Sequence, residues 1–128
     1  MSARSKGKAI EFAWCKLLLK NGFIINRAAP GTKWNRNTDL WDGRFDVEAI
    51  APKSDMMMHF FQIATRWKTG ADRRHLETFP LSTTRRVYMV RKKDHEDFEI
   101  MERSPMEDSE WAKPASSLVF FARWGLKA

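Results

Sequence analysis

Residues 44–51, Arg-Phe-Asp-Val-Glu-Ala-Ile-Ala, alternate apolar and acidic side chains with a period of two, the pattern of a β-strand with one buried face. Phe45, Val47 and Ala49 take one face, Asp46 and Glu48 the other. Pro52-Lys53-Ser54-Asp55 reads as a turn, and residues 57–66, Met-Met-His-Phe-Phe-Gln-Ile-Ala-Thr-Arg, read as the next strand. A hairpin between the two commits the middle of the chain to a sheet.

The flanking segments supply the rest of that sheet and its helices. Residues 8–21 place Ile10, Ala13, Trp14, Leu17 and Leu18 on one stripe of an amphipathic helix, with Ser5 as a candidate cap and Asn21-Gly22 as its stop. Residues 23–28 have a strand's composition, ended by Pro30-Gly31. After Gly70 a short helix is predicted over 71–79, with Asp72 near its start and Pro80 behind it. Residues 85–91 and 97–103 read as two further strands joined by a turn at 92–95. The order is helix, strand, hairpin, helix, strand, strand, which predicts one α/β domain over residues 1–128 around a mixed sheet. Trp111, Leu118-Val119-Phe120-Phe121 and Trp124 form a strongly apolar last stretch, which either covers the core or forms a dimer surface. The methionines and Phe60-Phe61 read as core filling.

Charge narrows the partner. The chain carries a formal net charge of +7 and a pI of about 9.9. Its cations gather in the first third and the middle, while Glu96, Asp97, Glu99, Glu102, Glu107, Asp108 and Glu110 collect near the C-terminus. Clustered cations of this kind suit a polyanion such as nucleic acid. No apolar run has the length of a membrane helix, and a lone cysteine, Cys15, excludes an internal disulfide framework and a cysteine-based zinc site. A reducing cytoplasm, of a cell or of an infected host, is the expected compartment. Cys15 reads as buried filler, His59 and His75 as packed or surface histidines.

Glu11 on the first helix, Asp46 on one central strand and Gln62 on the next are spaced so that a helix carboxylate, a strand carboxylate and an amide oxygen can meet at a sheet edge. Oxygen donors of this kind suit Mg²⁺, for which Mn²⁺ substitutes, and a metal so held activates water for phosphodiester cleavage.

Gly7-Lys8-Ala9-Ile10-Glu11, then Leu17-Leu18-Leu19-Lys20-Asn21-Gly22-Phe23, Arg27-Ala28-Ala29, Phe45-Asp46-Val47-Glu48-Ala49-Ile50 and Phe61-Gln62-Ile63-Ala64 together resemble the archaeal-type Holliday junction resolvases, members of the PD-(D/E)xK nuclease superfamily. The likeness spans roughly residues 5–70. It implies a restriction-endonuclease-like core, a mixed central sheet flanked by helices, structure-selective cleavage of branched DNA, and a homodimer. It also implies that Glu11, Asp46 and Gln62 are metal-site residues.

Two positions depart from the family pattern. The second acid is Gln62, which ligates through oxygen but adds no charge; Glu48, on the same strand face as Asp46, is expected to restore it. The family's lysine falls on Ala64, and strand alternation predicts that Arg66 or Lys68 reaches back to replace it. The expected DNA contacts are Arg4, Lys6 and Lys8, then Lys33, Trp34 and Arg36 with Asn37 in the loop before the hairpin, and Arg73 and Arg74 as a phosphate clamp at a helix N-terminus. Asp39 and Asp42 read as loop-turn aspartates. Other readings are a DNA-binding protein on the same fold without catalysis, or a nicking, restriction or repair nuclease of the superfamily. A basic RNA-binding subunit ranks below both.

Overall fold

The computed structural model describes residues 3–27, 40–53, 55–92, 96–103 and 110–126, with the backbone alone at residues 3–6 and 42. Helix α1 (Ala3–Lys20) leads into strand β1 (Ile24–Arg27), a one-turn helix α2 (Leu40–Gly43), and the hairpin strands β2 (Val47–Ile50) and β3 (Met58–Ala64). Helix α3 (Gly70–Glu77), strands β4 (Arg85–Lys92), β5 (Phe98–Arg103) and β6 (Ala115–Ser116), and helix α4 (Ser117–Ala122) follow. The strands form one six-stranded sheet in the order β1-β2-β3-β4-β5-β6. All neighbours are antiparallel except β3 and β4, which run parallel because α3 carries the chain back across the sheet. The expected α/β fold with a mixed sheet is what forms.

Period-two alternation sorts the central strands onto two faces. Phe61, Ile63, Tyr88, Val90, Phe98 and Ile100 pack with Trp14, Leu18, Phe120 and Phe121 from α1 and α4. Phe60, Val87 and Met89 pack the other way, with Leu76 of α3 and Phe79 behind it. The chain is therefore a sheet with helices on both sides.

Several boundaries differ from those predicted, each for a local reason. The first helix begins at Ala3, so Ser5 lies inside it rather than at its cap. Its stop is where expected: Gly22 has φ 85°, and the N–H of Phe23 returns to the Leu18 carbonyl at 3.0 Å. The predicted strand over 44–51 is shorter. Residues 40–45 close on themselves, with Leu40 N–H to the Phe45 carbonyl at 2.7 Å and Phe45 N–H to the Leu40 carbonyl at 3.0 Å. Phe45 consequently packs on the α3 side while Val47 and Ala49 pack on the α1 side, so the alternation breaks at Asp46. The C-terminal stretch covers the core through Phe120, Phe121 and Trp124, and α4 leaves Leu118 and Val119 exposed. Met56 is exposed rather than core.

Candidate functional site

The break at Asp46 shapes the site. The Asp46 N–H donates to the Phe61 carbonyl at 2.9 Å, and its carboxylate accepts from the Ile63 N–H at 2.7 Å. These bonds bracket Gln62 and lock Asp46 against β3, as the hairpin register predicted. Glu11, from α1, accepts from Arg27 of β1 at 3.3 Å. Cys15, one helical turn beyond Glu11, reports the proximity of these groups. Burial pushes its thiol up to about 11; Arg27 opposes this, and the charges of Glu11 and Asp46 add to it. Glu11, paired with Arg27, and Asp46 are thus each close enough to Cys15, on the α1 side of the sheet, to act on its thiol.

Gln62 turns the other way. It is 9% exposed, follows Phe60 on the α3 face, and its amide nitrogen donates to the Ile63 carbonyl at 3.3 Å. It lines a cavity of about 120 Å³ with Gly43, Arg44, Lys68, Asp72, His75 and Leu76. Asp72, His75 and Leu76 are three and four residues apart on α3 and share a face. The cavity gathers a guanidinium, an ammonium, an imidazole, an amide and one carboxylate. Such a set binds a water or a phosphate oxygen better than it cages a divalent cation, which takes mostly anionic or carbonyl oxygens.

The expected site residues therefore divide. Glu11 and Asp46 each lie within electrostatic reach of Cys15; Gln62 lines a cavity with Lys68 instead. Glu48 is not beside Asp46, because the break lies between them. Its two oxygens accept from Asn26 at 2.8 Å and from the Trp41 indole at 2.9 Å. Arg66 does not reach back either: β3 ends at Ala64, the chain bends at Thr65 and Arg66, and Arg66 is exposed. Ala64 itself pairs across the parallel ladder with Arg91, which is held by Glu99 at 2.8 Å and stacks on Trp67 at 4.5 Å. Among the described residues no three His, Cys, Asp or Glu side chains form a metal-holding group. Mg²⁺ does not require three, since it is commonly bound by one or two carboxylates and keeps its waters. The Glu11 and Asp46 carboxylates fit that chemistry.

The expected DNA contacts fare unevenly. Lys8 is exposed on α1. Arg4 and Lys6 fall in the helix backbone, but their side chains, like all of Lys33, Trp34, Arg36, Asn37 and Asp39, lie outside the described residues. Arg73 and Arg74 do not form a clamp at a helix N-terminus. The helix has eight residues, Arg74 stands in its last turn, and Arg73 reaches C-terminally to Glu77 at 3.5 Å and over the Trp111 ring. Sequence reasoning set His75 aside as a packed or surface histidine and gave Arg44 no site role. The i, i+3, i+4 spacing of Asp72, His75 and Leu76 was a usable signal for the first. Arg44 gave none, since its role depends on the closed turn: it donates to the His75 carbonyl at 2.9 Å, to Thr78 at 3.0 Å and to the Trp41 carbonyl at 3.2 Å.

A separate polar cluster lies on the α1 and α4 side. Buried His59 bridges Asp55 and Tyr88, each at 2.8 Å, and the Trp124 indole donates to Asp55 at 3.1 Å. Burial holds His59 below its ordinary pKa against the upward pull of Asp55. Burial raises the Asp55 carboxyl, but hydrogen bonds from His59, the Met57 N–H and Trp124 outweigh it, leaving the group below its usual value. Tyr88 is fully buried, its hydroxyl pushed well up by desolvation, and the cluster ties β3 to β4 and to Trp124 behind α4.

Searches against protein-family models, curated proteins and solved structures find no match for this chain. No helix among the described residues is long and apolar enough to cross a membrane.

Proposed function

We propose that this chain is a metal-dependent, structure-selective DNA endonuclease that nicks four-way junctions as a homodimer. The observation that carries the reading is Asp46, fixed by the β3 backbone at the broken end of β2, with Glu11 brought from α1 to the same side of the sheet. The net charge of +7 supports a nucleic-acid partner, and the resemblance to junction resolvases supports the branched substrate. Two strands of a four-way junction must be cut symmetrically, which suits a two-fold dimer.

Glu11 and Asp46 are the residues that would hold Mg²⁺ or Mn²⁺. Such an ion, when bound, supplies an activated water and stabilises charge on the scissile phosphate. The Arg27–Glu11 pair is partly exposed, and pairs of that kind are worth about 0–1 kcal/mol, so Arg27 yields Glu11 to a divalent cation at small cost. Arg27 then remains as a cation for a phosphate oxygen. Lys68 and Gln62 line a cavity on the α3 side of the sheet, away from these carboxylates, where an ammonium and an amide donor suit a phosphate oxygen of the DNA backbone.

The test is cleavage of a labelled four-way junction with Mg²⁺ or Mn²⁺, beside linear duplex of the same sequence. Junction-selective nicks are expected, reduced at least about 100-fold in Asp46→Ala and less in Lys68→Ala. A second reading, a DNA-binding protein without catalysis, rests on Ala64 at the lysine position and on Glu48 being committed to Asn26 and Trp41. Tight junction binding with no cleavage in either metal would establish it instead.

A further inference from the structure

An aromatic groove of about 410 Å³ opens on the α3 side, lined by Trp41, Arg44, Phe60, Phe79, Pro80 and Arg85. Its floor is Phe60 and Phe79, with ring centroids 5.0 Å apart. Trp41 meets both edge-on at 6.0 Å. Trp41 is 53% exposed although it has φ 58°, a left-handed backbone that a bulky side chain rarely adopts. The strain is maintained from several directions. The Arg44 guanidinium donates to the Trp41 carbonyl, and the indole N–H is spent on Glu48. A tryptophan held this way presents ring surface and no free donor. Strained positions over-determined by their neighbours concentrate at ligand sites.

Charge says what the groove takes. Among the described residues, two arginines line it and no acid does. Arg85 contributes one N–H to the Pro80 carbonyl at 3.1 Å and has further donors on the same guanidinium. An exposed indole face backed by apolar rings and set beside a cation complements a flat ring that carries an anion. An aliphatic peptide side chain would satisfy the rings and leave the remaining Arg85 donors unused; paired bases in a duplex reach Arg85 but cannot stack on Trp41. A nucleotide whose base is unpaired satisfies both. The volume also lies in the range of small-molecule pockets.

We infer that this groove binds an unpaired nucleobase of a DNA strand, stacked on Trp41 with its edge toward Phe60 and Phe79, and with its phosphate on Arg85. The inference rests on the DNA-cleaving reading above and adds how the substrate is recognised. Branch points expose unstacked bases that linear duplex does not. Arg44 links this groove to the cavity that holds Gln62 and Lys68, because it lines both. On this reading junction selectivity comes from the groove and cleavage from the carboxylates.

The test uses duplex DNA with a single bulged 2-aminopurine, the same base paired in linear duplex, and free 2-aminopurine deoxynucleotide. Binding is read by anisotropy at low salt and stacking by loss of 2-aminopurine emission. Wild type is expected to quench the bulged base and to prefer bulged over linear DNA by about tenfold. Trp41→Ala should lose quenching and preference together, and Trp41→Phe should keep most of both. Met56→Asp is a second variant that cannot fail through the core, since Met56 is 83% exposed beside the same groove wall. Its added charge should weaken the preference with an unchanged folded spectrum. Equal binding of bulged and linear DNA with unchanged emission would overturn the groove and leave the nuclease reading standing. Equal affinity for the free deoxynucleotide would make it a mononucleotide site and overturn the strand assignment. Binding to no DNA at all would overturn both readings.

Discussion

The two faces of the sheet are built to different ends. The α1 and α4 face is dense with rings: Trp14 lies within 5.1–5.6 Å of Phe61, Phe98, Phe120 and Phe121. Its polar groups, Asp55, His59 and Tyr88, are tied to one another. The α3 face has a thinner core, and around it lie the groove under Trp41 and the small polar cavity beside Gln62. One face spends its side chains on cohesion, while the other leaves concave surfaces and half-buried charges. The carboxylates proposed to hold a metal sit at the rim where the first face meets the broken end of β2. They combine a rigid backing with access to solvent.

Core truncation is the strongest way to break this contrast. Trp14→Ala, on the ring-dense face, should cost roughly 3–5 kcal/mol, read as a lower midpoint in thermal or denaturant unfolding. Trp14→Phe should cost clearly less, because the Trp14 indole N–H has no hydrogen-bond partner among the described residues and its removal relieves an unsatisfied donor. On the thinner face, Leu76→Ala should cost about 2–4 kcal/mol and enlarge the cavity beside Gln62. Equal losses at Trp14 and Leu76 would mean that the two faces contribute alike.

A pH series sharpens the contrast further. His59 has a folded pKa below 6.5, so the unfolded chain takes up its proton first. Its contribution to stability is complete above 6.5 and declines as pH falls toward the folded value. Asp55, also lowered, contributes fully above 3.8 and loses that contribution as pH falls through its own folded value. Unfolding midpoints should therefore decline in two stages on acidification, and His59→Gln should abolish the upper stage. The smallest expected effect is at α4. Ser116 caps it by accepting from the Val119 N–H at 3.3 Å, and Ser116→Ala should cost about 1 kcal/mol in the same unfolding assay.

Much of this contrast was legible in the sequence, and the exceptions share a cause. The stripe Ile10, Ala13, Trp14, Leu17 and Leu18, the Asn21-Gly22 stop and the alternation through β3 to β5 depend on local periodicity, and they lie where periodicity puts them. The pairing of β2 with β3 also followed, so the placing of Asp46 against the strand that carries Gln62 was expected. Periodicity could not foresee where alternation stops. The turn over 40–45 reverses Phe45, parts Glu48 from Asp46 and places Trp41 on the surface. That turn is held by Arg44 reaching His75 and Thr78, contacts more than thirty positions apart in sequence. The end of β3 at Ala64 likewise removed the face on which Arg66 was counted.

The parallel β3–β4 pair has a consequence for how the chain acquires its structure. Both strands are covered on two faces, and between them runs the connection from Thr65 to Thr84 with α3 inside it. A hairpin such as β2–β3 closes a short loop, but this pair must first close a long one, and non-local pairing is slow. Once made, it is the hardest part to open, so the amides of Phe60 to Ile63 and Val87 to Val90 are where solvent hydrogen should exchange last. Gln62 lies inside that slow segment, whereas Glu11 lies on a half-exposed helix edge. The cavity beside Gln62 is therefore set when the whole molecule closes, whereas the edge that carries Glu11 does not wait on that step.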